Sequence, residues 1–295
     1  MIARIALIGF GEVGRILGED LSAHVGLSAF DLKFADRASG PSEAAKVVGV
    51  WAAPSAREAV AGCDLVISAV TAAQTLAAAQ STAGGLSKNA AFLDLNSASP
   101  GEKQQAADAI HGAGGRYLEA AVMSPVPPKR VTTPMLLGGP HAEAMLPHLQ
   151  ELGFAGAKVF SREIGKASAA KMCRSVIVKG MEALLSESML TARAYGVEET
   201  VLRSLDDLFP GPDWKKLSRY MISRTLEHGR RRAEEMREVA RTVSEVGLDP
   251  HMSAAAAERQ DWAPQFASAL SEKELDDMLD AIRDMMDAKR KGAAA

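Results

Sequence analysis

The residues best spaced to do chemistry lie near the start of the chain, where residues 2–15 read IARIALIGFGEVGR. An apolar run through Ile2, Ile5, Ala6, Leu7 and Ile8 leads directly into Gly9-Phe10-Gly11-Glu12-Val13-Gly14. A helical pattern follows, with Val13, Ile16, Leu17 and Leu21 on one face. Strand, glycine turn and helix in that order form the setting in which Gly-x-Gly-x-x-Gly binds a dinucleotide. The first glycine permits the turn, the second lets a pyrophosphate approach the backbone, and the third lets helix and strand pack closely. N–H groups at the helix start then face the phosphates. A second strand is expected over residues 30–35, ending at Asp36, whose carboxylate would accept hydrogen bonds from the ribose of NAD. Arg37 would instead pair with the 2′-phosphate of NADP, so the expected cofactor is NAD or NADP, with Asp36 favouring NAD.

A candidate proton-transfer group lies in Gly165-Lys166-Ala167-Ser168-Ala169-Ala170-Lys171-Met172-Cys173-Arg174-Ser175. Lys171 stands among small and apolar residues, with Ser168 and Ser175 on the same helical face. A lysine in a partly desolvated cleft has its charged form disfavoured, which brings its pKa toward a range useful for proton transfer. Periodicity alone also admits a surface lysine with its stem along apolar neighbours. Ser175 would hold the substrate or the lysine. His228, Arg231, Arg232 and Glu235 share or adjoin one helical face and suit a carboxylate or hydroxyl. The same four suit an exposed or inter-subunit salt-bridge face.

These groups need elements to place them. After the first βαβ unit, residues 64–70 read as a buried parallel strand and residues 71–83 as a helix. Residues 91–96 read as the next strand, and Ser99, Pro100 and Glu102 open a helix with a capping box. Further strands are expected at residues 116–121, 135–137 and 157–160. The loops Ser68-Ala69-Val70-Thr71 and Asn96-Ser97-Ala98-Ser99 follow strands, where ligands of a doubly wound sheet bind. Val70, Thr71 and Asn96 would line the nicotinamide side. From Gly165 the pattern turns helical, over residues 165–195, 198–209, 213–246 and 271–290, the last with Ser271 and Glu274 as a capping box. The expected fold is α/β, with an N-terminal Rossmann doubly wound, mainly parallel sheet over residues 1–162. An all-α domain over 163–295 follows, joined by a long helix.

The 295-residue chain is 47% hydrophobic with a formal charge of −3, which speaks against nucleic acid as a partner despite Arg230-Arg231-Arg232. No secretion signal is expected before Ile2, and no apolar run is long enough to span a membrane, so the expected location is the cytoplasm. Cys63 and Cys173, the two cysteines, are expected to be small packing residues with no disulfide and no metal. Trp51, Trp214 and Trp262 are likewise expected to pack, and the tail from Lys289 to fray.

GFGEVG, Asp94-Leu95-Asn96-Ser97-Ala98-Ser99-Pro100, and Gly165-x-Ala167-x-x-x-Lys171 occur in that order. Together they resemble the β-hydroxyacid dehydrogenase family, which includes 3-hydroxyisobutyrate and 6-phosphogluconate dehydrogenases. The helical half resembles a divergent branch, in Lys171-Met172-Cys173-Arg174-Ser175 and in residues 228–236. The resemblance implies that Lys171 is the general acid/base at a C3 hydroxyl and that the protein is a homodimer or larger. It also implies a carboxylate-binding segment at Glu119-Ala120-Ala121-Val122-Met123-Ser124-Pro125. There Met123 or Ser124 replaces the family's serine and its glycine pair is lost; Ser175 replaces an asparagine. The implied activity is hydride transfer between nicotinamide and C3 of a 3-hydroxy (or 3-oxo) carboxylic acid, with Met123 and Ser124 as substrate contacts; the helical faces above add Ser168, His228 and Arg232 as candidate substrate contacts. An imine or ketimine reductase and a catalytically inactive dinucleotide sensor are the alternatives; the lysine argues against the first.

Overall fold

The computed structural model of the protein describes residues 2–293. The chain divides into two compact units between Met172 and Cys173. The first holds the strands β1 (Arg4–Ile8), β2 (Gly26–Phe30), β3 (Trp51–Ala52), β4 (Leu65–Ser68), β5 (Ala91–Asp94), β6 (Arg116–Val122), β7 (Met135–Gly138) and β8 (Ala157–Ser161). They form one eight-stranded sheet in the order β3-β2-β1-β4-β5-β6-β7-β8. Pairing is parallel throughout except between β6 and β7. This is the expected Rossmann sheet extended by a reversed pair at one edge.

Alternation along each strand sends side chains to two cores. Ile5, Leu7, Leu65, Ile67 and Leu93 pack on one face with residues of α1 (Glu12–Leu21) and α6 (Ala142–Glu151), including Leu17, Leu21, Met145 and Leu149. Ala6, Ile8, Val66, Phe92 and Tyr117 pack on the other with α3 (Ala56–Val60), α4 (Thr75–Ala83) and α5 (Pro100–Gly112). Helices on both faces explain why the central strands are apolar at nearly every position. The remaining helix of this unit, α2 (Gly40–Val48), connects β2 to β3.

The expected strand over residues 30–35 does not form. Strand β2 ends at Phe30, and residues 32–35 make a 3-10 turn capped by the Asp31 carboxylate, which accepts from the Lys33 N–H at 2.9 Å. Phe30 is the register partner of Ile8, so the chain leaves the sheet at the same level as β1. Asp36 is therefore not a strand-end residue.

The helical unit carries most of α7 (Lys166–Tyr195), with α8 (Glu198–Leu208), α9 (Trp214–Glu245), α10 (His251–Trp262) and α11 (Leu275–Ala293). Its core gathers Met189, Trp214, Ile222, Leu226, Phe266, Met278 and Leu279. Among the described residues, no helix is long and apolar enough to cross a membrane. Ser271 does not cap α11. It ends a 3-10 segment and donates to the Ser268 carbonyl, while the helix begins at Leu275. Trp51 is half exposed on the edge strand, and Cys173 is exposed, so neither is the packing residue expected; Cys63, Trp214 and Trp262 are. The tail stays helical to Ala293, and its last two residues lie outside those described.

Glu182 on α7 is 1% exposed and pairs with the guanidinium of Arg232 on α9, with Gln260 of α10 donating to it at 3.1 Å. Lys179 and Glu235 form a second ion pair between α7 and α9. Burial pushes the Glu182 carboxyl up, and Arg232 opposes the shift. Arg232→Met is expected to cost about 3–5 kcal/mol, because it strands a buried carboxylate. Adding Glu182→Leu should recover most of the loss, since an apolar pair needs no partner. Urea unfolding of the wild type, the single and the double variants checks this; equal stabilities of wild type and Arg232→Met would contradict it.

Candidate functional site

The loop between β1 and α1 is built for close approach. Gly9 has φ +89°, and a Cβ there would lie 2.5 Å from the Ala69 carbonyl oxygen. At Gly14 a Cβ would lie 2.0 Å from the Gly9 carbonyl oxygen, so the helix can pack on the turn only without a side chain. Gly11 differs, because a Cβ there would meet nothing within 4 Å. Its missing side chain leaves a space that a bound group can fill, which is what a pyrophosphate passing the start of α1 requires. Glu12 and Val13 are the first residues of that helix. Phe10 is 1% exposed in the core, and its N–H donates to Asp31 at 2.7 Å.

Asp31 thus ties the end of β2 to the glycine loop, a link the sequence reading missed. Two signals pointed to it: β2 should end level with β1, and the acid that reads a ribose stands about 20 residues beyond the glycine motif. Asp36 lies at the end of the 3-10 turn, with one carboxylate oxygen accepting the Ala38 N–H at 2.9 Å. Arg37 and Asp31 both line an open cleft of about 700 Å³, together with Phe30, Phe34, Lys46 and Pro54.

The next two strand ends are locked together. The Asn96 side chain accepts the Val70 N–H at 2.7 Å and donates to Ser68 Oγ at 2.9 Å. Asn96 is 4% exposed, so it works as a clamp between β4 and β5. Val70 stands beside Gly9, while Thr71 is exposed at the start of a 3-10 turn. Deeper in, Asp94 pairs with Lys103 at 2.9 Å and accepts from the Tyr117 hydroxyl at 2.6 Å.

Lys171 enters the first unit on the opening turns of α7. Its Nζ donates to Ser97 Oγ at 2.5 Å. What fixes that helix is Glu119 on β6. Its carboxylate is fully buried and accepts the N–H groups of Gly165, Ala167 and Ser168 at 2.8, 3.1 and 3.3 Å. Ser168 donates to the Gly165 carbonyl at 3.1 Å and is 2% exposed, so it belongs to this helix start. Met123 N–H donates to the Pro134 carbonyl at 2.9 Å, and Ser124 Oγ donates to the Pro125 carbonyl at 3.4 Å. The loop that follows is held to α1 through Arg130, which pairs with Asp20 at 2.7 Å and Glu19 at 2.8 Å.

The other sequence candidates lie in the helical unit. Ser175, one helical turn beyond Lys171, is 6% exposed. His228 is half-buried with Nε2 3.2 Å from Glu227, and burial with the nearby Arg224 charge holds its pKa below the ordinary value. Arg232 is engaged by Glu182 inside the unit, which leaves its guanidinium a structural charge.

Burial raises the Glu119 carboxyl above its ordinary range, with Lys103 and the three N–H groups opposing. A raised folded-state value favours folding most in acid and loses that contribution as pH rises past the ordinary glutamate value, about 4.3. Glu119→Gln is expected to remove this slope. It should also cost about 1–3 kcal/mol, since an amide leaves one N–H of the helix start unpaired. Urea unfolding from pH 4 to 8 tests both; identical pH slopes in the two proteins would overturn the assignment.

Comparison with known proteins accords with this geometry. Residues 4–160 match the family model described as the NAD binding domain of 6-phosphogluconate dehydrogenase, and residues 192–263 match a domain of unknown function (DUF1932). The chain is similar to a conserved hypothetical protein from Sinorhizobium meliloti 1021, with 37% identity, 96% of each chain covered and a TM-score of 0.77. It is similar to a conserved protein of unknown function whose structure was reported to resemble 3-hydroxyacid dehydrogenases. There the identity is 32%, the coverage 92% of this chain and 100% of the other, and the TM-score 0.70. The 3-hydroxyisobutyrate dehydrogenase of Mycobacterium tuberculosis, solved with L-serine, shares the fold at 18% identity, 96% and 100% coverage and a TM-score of 0.69. The match over residues 4–160, more than half of the chain, places this protein in the NAD-binding 6-phosphogluconate dehydrogenase family, with the 3-hydroxyacid dehydrogenase fold.

Proposed function

We propose that the protein transfers hydride between a nicotinamide dinucleotide and C3 of a 3-hydroxy (or 3-oxo) carboxylic acid. The observation that carries this reading is the Lys171 Nζ held at 2.5 Å from Ser97, on the loop that follows β5. That loop leaves the same edge of the sheet as the glycine turn after β1.

When bound, the dinucleotide supplies the hydride acceptor or donor. Gly9, Gly11 and Gly14 would hold its pyrophosphate against the start of α1. Asp31, in place of Asp36, would read the adenosine ribose, because it stands at the end of β2 and is already fixed to the glycine loop. A carboxylate there favours the free ribose hydroxyls of NAD over the 2′-phosphate of NADP. Val70 and Asn96 would shape the nicotinamide side. Lys171 would take the proton of the C3 hydroxyl during oxidation and return it to the oxygen during reduction. Ser124 is the substrate contact of this reading within the first unit, and a cytoplasmic homodimer or larger homo-oligomer goes with it through the family resemblance.

Two variants test the two halves of the site. Gly11→Ala is expected to leave folding stability within about 0.5 kcal/mol, because its methyl meets open space. It should weaken NAD binding at least about tenfold, a loss of about 1.4 kcal/mol; unchanged affinity by calorimetry would remove the loop from the binding site. Lys171→Ala is expected to lower turnover of 3-hydroxypropionate, 3-hydroxybutyrate or 3-hydroxyisobutyrate by about 10²–10⁴-fold while NAD affinity stays within a factor of a few. Cofactor binding with no wild-type turnover on such acids would point instead to imine chemistry or to a dinucleotide sensor.

A further inference from the structure

Between β5 and α5, every residue from Ala91 to Ser99 is buried except Ser97. Its neighbours are fastened on both sides. The Asn96 N–H donates to Asp94 at 2.9 Å and its side chain bridges Ser68 and Val70. Ala98 is fully buried, and Ser99 caps α5 by accepting the Glu102 N–H at 3.3 Å. One hydroxyl is therefore presented from a rigid backbone, and it meets Lys171 Nζ. The lysine backbone is rigid for a separate reason, the Glu119 cap on α7.

We infer that Ser97 is the positioning residue of Lys171, an inference that rests on the reading of Lys171 as the proton-transfer group. A lysine side chain loses about 1.5–2 kcal/mol of rotamer freedom when fixed, and a hydrogen bond to a charged group is worth about 1.5–3 kcal/mol. The bond from Nζ to Ser97 is thus strong enough to select one lysine conformation. A serine hydroxyl both accepts and donates. It accepts from the ammonium form and donates to the amine form, so it holds Nζ in place before and after the proton moves. Asn96, the adjacent side chain, is already engaged. The Asn96 amide is committed to Ser68 and Val70.

The hydrogen bond to the ammonium is the stronger of the two, so its loss should lower the lysine's titration midpoint. The elements that carry the pair also bear charged groups, among them Glu119 on β6, Asp94 on β5, Glu102 and Lys103 on α5, and Lys166 on α7. Ser97→Ala changes none of them.

The test compares wild type, Ser97→Ala and Ser97→Thr in full-length protein labelled with 13C at lysine Cε. The Lys171 signal is assigned by its loss in Lys171→Arg. In Ser97→Ala the NMR titration midpoint of Lys171 should fall measurably, and in Ser97→Thr it should return to the wild-type value. Oxidation of 3-hydroxypropionate, 3-hydroxybutyrate and 3-hydroxyisobutyrate with NAD is followed alongside. There, Ser97→Ala should lose at least about tenfold in kcat, with the acid limb of the profile moved the same way, and Ser97→Thr should recover. An unmoved Lys171 midpoint in Ser97→Ala overturns the proposal, whatever the activity. A moved midpoint with no wild-type turnover leaves Ser97 as the lysine's partner and overturns the dehydrogenase reading alone.

Discussion

One buried carboxylate, Glu119, fixes the start of the long helix that carries Lys171. The first turn of any helix leaves N–H groups without partners, and a buried helix start must find acceptors for them. In α7 the acceptor is Glu119, reaching from the middle of β6 to three of these groups. Its carboxyl also sits at the positive end of a 30-residue helix. Because β6 is fixed within the sheet, this contact turns a helix start into a rigid mount, and Lys171 is carried by its second turn. Gly138, the register partner of Glu119 on β7, gives the carboxylate its room, since a Cβ there would lie 2.3 Å from Oε1.

The same edge of the sheet is organised by side chains that bind backbone. Asp31 holds the glycine loop, Asn96 holds the β4 exit, and Asp94 holds the β5 exit while pairing with Lys103 and Tyr117. Each satisfies buried N–H groups that the strand ends leave open. The outcome is a row of loops stiffened from within. The Gly11 gap and the Ser97 hydroxyl with its lysine lie on these stiffened loops.

Much of this was legible in local sequence. The glycine spacing after an apolar run, the capping box at Ser99 and the long proline-free pattern from Gly165 all rest on short-range rules, and the structure has each element there. Local rules failed where a distant partner decided. Residues 30–35 alternate well enough for a strand, yet the pairing with β1 ends at Phe30, and the Asp31 carboxylate caps a turn over the rest. Ser271 and Glu274 have the spacing of a cap, but residues 263–271 already form a 3-10 segment packed on the helical core. Arg232 looked available for a ligand until Glu182, fifty positions earlier, claimed it.

By itself the sequence determined the sheet class, the dinucleotide turn and the helix that bears the lysine, because periodicity, glycine chemistry and capping act within a few residues. Only the tertiary structure decided which acid stands at the end of β2, that Glu119 caps α7, and that Ser97 meets Lys171. Those pairings join residues 21, 46 and 74 positions apart or more. A hydrogen bond between such residues depends on strand register and sheet order, which no local pattern encodes.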